Sequence, residues 1–255
     1  MSKTINGLKL VSNKPVVGFG ICLGSVRIAE MAAMTGFDFI MIDLLHSHFS
    51  KESATNAIRA IARSGGAVPF GRVSNNDPGS INDLLDAGAL GIIVPMVESA
   101  EEAVKAIESI YYPPLGKRSK GSPAAVFYGS EYYMEINENL NALVMIETTS
   151  AAVKADEILS VPGVTGCLIG AGDLQFEMKM YGRDSEFKSV VYKIVESAKK
   201  NNIAVGISVG SPEDLKTWWK SGLDFFLTSH DMGIFNTAIR KYDEKFTRLK
   251  VSERI

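Results

Sequence analysis

The sequence predicts a closed (β/α)8 barrel, and three observations lead there. Eight short, almost uninterrupted apolar runs recur along the chain, as expected of strands covered on both faces. Segments with helical start signals separate them, and that alternation implies a parallel sheet which closes at eight units. The 255 residues, 46% of them hydrophobic, suffice for one sizeable core, and no linker or compositional shift divides it. The chain therefore reads as one domain spanning 1–255.

The elements follow in order. Val16 to Leu23 is a buried strand, and a helix runs from Ser25 to Thr35. Phe37 to Leu44 is the second strand, and Ser50 is an N-cap for a helix to about Arg63. Ala67 to Val73 is the third strand, after which Asp77-Pro78 opens a short helix through Asp86. Gly91 to Val97 is the fourth strand, and Ser99 caps a helix to about Ile110. The rhythm then breaks. Tyr111 to Asn139 is rich in proline and tyrosine and has little periodicity, the mark of a functional or disordered excursion. Ala142 to Glu147 is the fifth strand, followed by a helix from Ser150 to Leu159. Gly166 to Gly170 is the sixth strand, with the next helix at about Glu186 to Asn201. Ile203 to Val209 is the seventh strand, and another helix follows Pro212. Asp224 to Thr228 is the last strand, and an amphipathic helix from about Met232 to Phe246 closes the pattern.

Composition excludes several classes. Net charge is −2 without a basic run, so nucleic acid and anionic membranes are poor partners. Cys22 and Cys167 lie in apolar runs and read as buried, reduced thiols of a cytoplasmic protein. Met1 to Pro15 is polar and lacks the apolar centre of a signal peptide. No apolar run reaches the ~18 residues of a membrane span.

In such barrels the active site forms where strands end and the following loops begin. Those ends carry Asp43, His46 and His48, then Arg72, Glu147, Asp173, Ser208, and His230 with Asp231. Glu147 and Asp173 are separated by about one strand–helix–strand unit, which puts them at matching ends of adjacent strands. Two such hard oxygen donors leave room for waters and a bidentate substrate on Mg²⁺ or Mn²⁺, with Co²⁺ as a further candidate. The alternative is two loop acids that cap helices. Arg72 suits an oxyanion formed during reaction; its alternative is a salt bridge across the barrel mouth. Asp43, three residues from His46, would fix that imidazole as a base. His48 reads as surface.

Three other signals fail. The run Gly18-Phe19-Gly20-Ile21-Cys22-Leu23-Gly24 lacks the spacing of a dinucleotide fingerprint. His46-Ser47-His48 is similar to an amidohydrolase metal motif, but that site needs more histidines than His230 alone. The strands contain no lysine for Schiff-base chemistry.

With these residues assembled, the chain resembles the HpcH/HpaI family of class II, metal-dependent pyruvate aldolases. The similarity covers nearly the whole length. It is carried by Gly36-Phe37-Asp38-Phe39-Ile40, Asn76-Asp77-Pro78, Leu84-Leu85-Asp86-Ala87-Gly88, Val94-Pro95-Met96-Val97, Tyr112-Pro113-Pro114-Leu115-Gly116-Lys117-Arg118, Ile146-Glu147-Thr148, and Val161-Pro162-Gly163-Val164 leading to Asp173-Leu174. The resemblance implies a TIM barrel of the phosphoenolpyruvate/pyruvate type, with Glu147 and Asp173 as metal ligands. It implies Arg72 on the pyruvate enolate, and His46 as general base with Asp43 beside it. Asp86 would tune that histidine, and the backbone at Gly172 and Asp173 would receive the pyruvate carboxylate. It also implies a homo-oligomer, typically a hexamer, whose last helix packs on a neighbour.

Departures from the pattern are Leu45, where the family has a glutamate, and the substrate-side position Met145, where it has a glutamine. Gly170-Ala171-Gly172-Asp173-Leu174 stands for Gly-Pro-x-Asp-Leu. The expected function is cleavage or formation of 4-hydroxy-2-oxo acids from pyruvate or another 2-oxo acid and an aldehyde, with 111–139 shaping the aldehyde end. Alternatives are an oxaloacetate-type decarboxylase, an acyl-CoA lyase that would need Lys117, Arg118 and Lys120 for phosphates, and a non-catalytic 2-oxo acid binder.

Overall fold

The computed structural model describes residues 5–252, with side chains through 247. Eight parallel strands close a barrel in sequence order. In chain order the elements are β1 (Val16–Ile21), α1 (Val26–Ala33), β2 (Phe39–Asp43), α2 (Lys51–Ser64), β3 (Val68–Arg72), α3 (Pro78–Ala87), β4 (Gly91–Val94) and α4 (Ala100–Ile110). Then come α5 (Ala124–Tyr128), α6 (Tyr132–Asn139), β5 (Asn141–Ile146), α7 (Thr149–Val153), α8 (Ala155–Leu159), β6 (Gly166–Ile169) and α9 (Ala171–Met180). The last are α10 (Phe187–Lys200), β7 (Ala204–Ser208), α11 (Pro212–Lys220), β8 (Phe225–His230) and α12 (Asp231–Ser252).

Alternation along the strands makes two cores. Outward residues such as Ile40, Ile42, Val144 and Ile169 pack against the helices. Inward residues such as Phe39, Phe70, Met145 and Phe225 fill the barrel. Large rings meet glycines on adjacent strands there. A Cβ on Gly18 would lie 2.1 Å from the Phe39 ring, one on Gly91 2.5 Å from Phe70, and one on Gly206 2.4 Å from Phe225. The glycines that weaken these strands locally are what let three phenylalanines occupy one interior.

The expected helix starts hold. The Ser50 hydroxyl accepts the Ser53 amide at 3.1 Å, the Asp77 carboxylate accepts Ser80 at 2.8 Å, and Ser99 accepts Glu102 at 3.3 Å. Each satisfies an amide that the first helical turn leaves without a partner. Four differences stand out. The fourth strand stops at Val94, because Pro95 has no amide to donate and Met96 is left-handed, with φ 53°. The helix expected over 150–159 is two short helices meeting at Lys154. A helix at α9 was not expected; it exposes Phe176 and Met180, so its sequence lacks a clean apolar stripe. The final strand runs on to His230 through a bulge against β1.

The excursion 111–139 holds α5, α6 and a buried tyrosine group, with Tyr112 and Tyr132 edge to face at 6.4 Å. It joins the end of α4 to the start of β5, so it lies at the N-terminal rim of the barrel. Within one chain it is therefore remote from the catalytic mouth, and the expectation that it shapes the aldehyde end is corrected. Among the described residues no helix is long and apolar enough to cross a membrane.

Gly18→Ala should destabilise the barrel by about 1–3 kcal/mol through overpacking against Phe39. A lowered urea midpoint at unchanged slope would show it.

Candidate active site

Period-two alternation brings one inward residue from nearly every strand to the C-terminal mouth. Asp43 and Arg72 are register partners on β2 and β3. Arg72 donates from Nε to Asp43 Oδ1 at 2.9 Å and from Nη2 to Oδ2 at 2.6 Å, a bidentate pair. Their side chains are only 15% and 2% exposed. Asp43 Oδ1 also accepts the amides of Leu45 at 2.9 Å and His46 at 3.5 Å, and the Cys22 thiol donates to Oδ2 at 3.7 Å.

This corrects one expectation. Asp43 reaches His46 through the backbone and spends its carboxylate on Arg72; it does not hold the imidazole. The salt bridge across the mouth, the alternative for Arg72, is present, and Nη1 of that guanidinium has no protein partner among the described residues. His46 and His48 are both exposed in the loop after β2.

Glu147 follows β5 and is 2% exposed. Its Oε1 accepts the Met96 amide at 2.6 Å. That bond accompanies a left-handed Met96 conformation that costs about 1–3 kcal/mol. Gly170 is the second support. A Cβ there would lie 2.3 Å from Glu147 Cβ and 2.8 Å from Oε2, so only glycine lets the carboxylate fold over the start of α9. Asp173, in the first turn of α9, lies against Glu147. Burial raises the Glu147 carboxyl above its usual range, and the Asp173 charge and a hydrogen bond with Asp173 add to this; the Met96 amide and Arg72 pull the other way.

A buried carboxyl facing a second one needs a proton or a cation between them. Two hard oxygen donors with Arg72 nearby fit a divalent ion that takes oxygen ligands. Cys22, His230 and Asp231 also bring one donor atom each within 4.8 Å of one another, but Asp231 and Nδ1 of His230 already hold backbone amides. Asp231 accepts the amides of Cys22 at 2.7 Å, Met232 at 2.9 Å and Leu23 at 3.2 Å. His230 Nδ1 accepts Gly233 at 3.1 Å. Burial and the neighbouring Asp43 and Asp231 push the Cys22 thiol up to about 12, which keeps it protonated. The carboxylate pair could hold a cation through oxygen donors alone.

Other expected residues lie apart. Asp86, near the end of α3, stands at the opposite rim, where it accepts Arg118 Nη2 at 2.7 Å; within one chain it does not approach His46. Met145 is 3% exposed in the interior stack below Glu147 and gives the mouth an apolar floor. Gly172 is exposed at the start of α9, a helix with no side-chain cap. The cations a CoA lyase would need are engaged elsewhere: Lys117 pairs with Glu108, Arg118 is buried on Asp86, and Lys120 covers the Tyr133 ring. Reading the sequence missed Cys22, Met96 and Gly170 as supports. Only the glycine directly after an apolar run offered a signal.

Fold and site together define a barrel enzyme with a paired-carboxylate centre. Residues 21–237 match the model of the HpcH/HpaI aldolase/citrate lyase family, and the chain belongs to that family. It is 34% identical over 233 residues to a hydroxypyruvate/pyruvate aldolase of Rhizorhabdus wittichii, covering 89% of this chain and 92% of that one. Against a 4-hydroxy-2-oxo-heptane-1,7-dioate aldolase of Escherichia coli the identity is 30% over 243 residues, with 93% and 92% covered. The crystal structure of an HpcH/HpaI aldolase from Desulfitobacterium hafniense superposes with a TM-score of 0.84 at 24% identity, covering 91% of this chain and 93% of that one, a likeness of fold.

The Asp43–Arg72 pair has a pH signature. Burial alone would raise the Asp43 carboxyl, but the hydrogen bond and charge of Arg72 and the amides of Leu45 and His46 outweigh it and hold Asp43 below its usual value. The pair's stabilisation is therefore complete above the unfolded carboxyl value near pH 4 and is lost as pH falls through the lower folded value. Asp43→Asn should cost about 3–5 kcal/mol at pH 7 by leaving Arg72 unpaired. Denaturant unfolding at pH 7 and pH 3 should show the gap narrowing in acid.

Proposed function

We propose that this chain is a metal-dependent carbon–carbon lyase that cleaves or forms 4-hydroxy-2-oxo acids through a pyruvate enolate. The observation that carries the reading is the buried Glu147 set against Asp173, with Arg72 anchored beside them. The aldolase names of the relatives support the reaction class.

Glu147 and Asp173 would hold Mg²⁺ or Mn²⁺, which when bound supplies Lewis-acid polarisation of the 2-oxo acid carbonyl. The uncapped start of α9, at Gly172 and Asp173, offers backbone amides to the substrate carboxylate. Arg72, fixed along one edge by Asp43, turns Nη1 toward the oxygen on which charge develops. In cleavage, His46 takes the proton of the 4-hydroxyl and the C3–C4 bond breaks. Its electron pair passes into the enolate, and the aldehyde leaves. Protonation at C3 then gives pyruvate. Met145 beneath the site excludes water from the enolate rather than hydrogen-bonding it.

The test is exchange of the pyruvate methyl protons in deuterated water with Mn²⁺ present. Glu147→Gln and chelation should each abolish it, and exchange that survives both would refute the reading. Because the ionised Glu147 is disfavoured by burial and by Asp173, Glu147→Gln without metal should melt no lower than the unaltered protein at neutral pH. Mn²⁺ should raise the melting temperature of the unaltered protein only.

We further propose a homo-oligomer assembled through α12. Its contacts fall mainly on β1 and β8, while Phe235, Ile239, Tyr242 and Phe246 are each at least half exposed along one helical face. Phe235→Lys with Tyr242→Lys should reduce the mass measured by light scattering to that of one chain; an unchanged mass would remove α12 from the interface.

A further inference from the structure

We propose that His230 is a specificity-determining residue of this site: its Nε2–H donates a hydrogen bond to an oxygen substituent on the acceptor aldehyde. The inference rests on the aldolase reading above and goes beyond it.

The placement begins with the bulge. Gly18 of β1 pairs with Leu227 of β8, but Gly20 pairs with His230. Three steps on β8 answer two on β1, so one residue is inserted. Without it, strand alternation would put Ser229 opposite Gly20 and turn His230 toward the helices. With it, His230 shares the inward side of Gly18 and Gly20, where Phe39 and Met41 also lie. Re-aiming a side chain at a barrel rim is a recurrent use of such bulges.

The ring is then cleared and fixed. A Cβ on Gly20 would lie 3.3 Å from His230 Cβ, and one on Gly233 3.3 Å from Cε1 and 3.5 Å from Nδ1. Glycines on both sides give the imidazole its room. The Gly233 amide donates to Nδ1 at 3.1 Å, which assigns the proton of the neutral ring to Nε2. The residue is exposed, and Nε2 has no protein partner among the described residues.

Capping α12 does not explain the imidazole. The side-chain caps of α1, α2, α3, α4, α7 and α11 are Ser, Asp or Thr, which do that task with fewer atoms. What histidine adds is a second polar atom pointing away from the helix. Its surroundings join the site, since one ring nitrogen of His230 lies within 4.8 Å of the Cys22 sulfur and an Asp231 carboxylate oxygen, and the Cys22 thiol touches the Asp43 carboxylate that anchors Arg72.

Position around the barrel names the substrate atom. The carboxylate pair follows β5 and β6 and Arg72 is on β3, whereas His230 is on β8 beside β1. A 2-oxo acid seated on the pair and Arg72 extends its far half across the mouth toward β8. A neutral N–H there recognises a hydroxyl or carboxylate oxygen of the aldehyde half, and a hydrocarbon tail leaves it unpaired.

The test compares glycolaldehyde with propanal, close in size and differing in the terminal hydroxyl, as acceptors for pyruvate with Mn²⁺. His230→Ser keeps an oxygen able to cap Gly233 and removes the distal donor. It should lower the kcat/KM ratio of glycolaldehyde to propanal about tenfold, the value of one hydrogen bond, at an unchanged melting temperature. His230→Phe, which loses cap and donor, should lower the ratio equally and the melting temperature as well. An unchanged ratio in His230→Ser, or an equal loss with both aldehydes, overturns the proposal and leaves His230 a helix cap. Failure of the unaltered protein to exchange pyruvate methyl protons overturns the aldolase reading and this inference with it, an outcome separate from a failed ratio.

Discussion

A carboxylate in a dry place, set against another carboxylate, is costly, and the mouth of this barrel is arranged around that cost. Glu147 is 2% exposed and faces Asp173. Burial raises the Glu147 carboxyl and so weakens its hold on negative charge in the absence of a counterion. One strained amide at Met96, one glycine at Gly170 and the nearby Arg72 keep it in place. None of these neutralises the pair, which leaves it short of positive charge where a dication would supply it.

The positive side of the mouth follows the opposite logic. Arg72 is nearly buried, and its charge is balanced by Asp43, itself satisfied by two amides and a thiol. The guanidinium is rigid along one edge and free on the other, so it can face developing charge with little reorganisation. The thiol of Cys22 stays protonated and serves as a donor, not a nucleophile.

Beneath both pairs lies a packing device. Phenylalanines from β2, β3 and β8 occupy the space that glycines on β1, β4 and β7 leave open. Strand closure around those rings fixes the register, and the register puts Asp43 beside Arg72. The site's geometry is thus a consequence of how the barrel interior is filled. The same closure accommodates the bulge at β8, where one inserted residue turns an imidazole from the helical layer to the mouth.

The sequence by itself determined the strand–helix rhythm, the eight-strand closure, most helix starts and the acidic and basic residues at the strand ends. All of these depend on residue type and short-range spacing, and local chemistry reports both. It could not say how those ends are paired. Asp43 stands three residues from His46 yet spends its carboxylate on Arg72, because β2 and β3 lie in register there and a guanidinium offers two donors where an imidazole offers one. Asp86 carries a motif of the family but sits at the far rim, since a helix that follows its strand runs back down the barrel. The partly exposed α9 and the bulge at β8 left no periodic signature. Those features arise from contacts between residues distant in the chain, and only the closed barrel creates them.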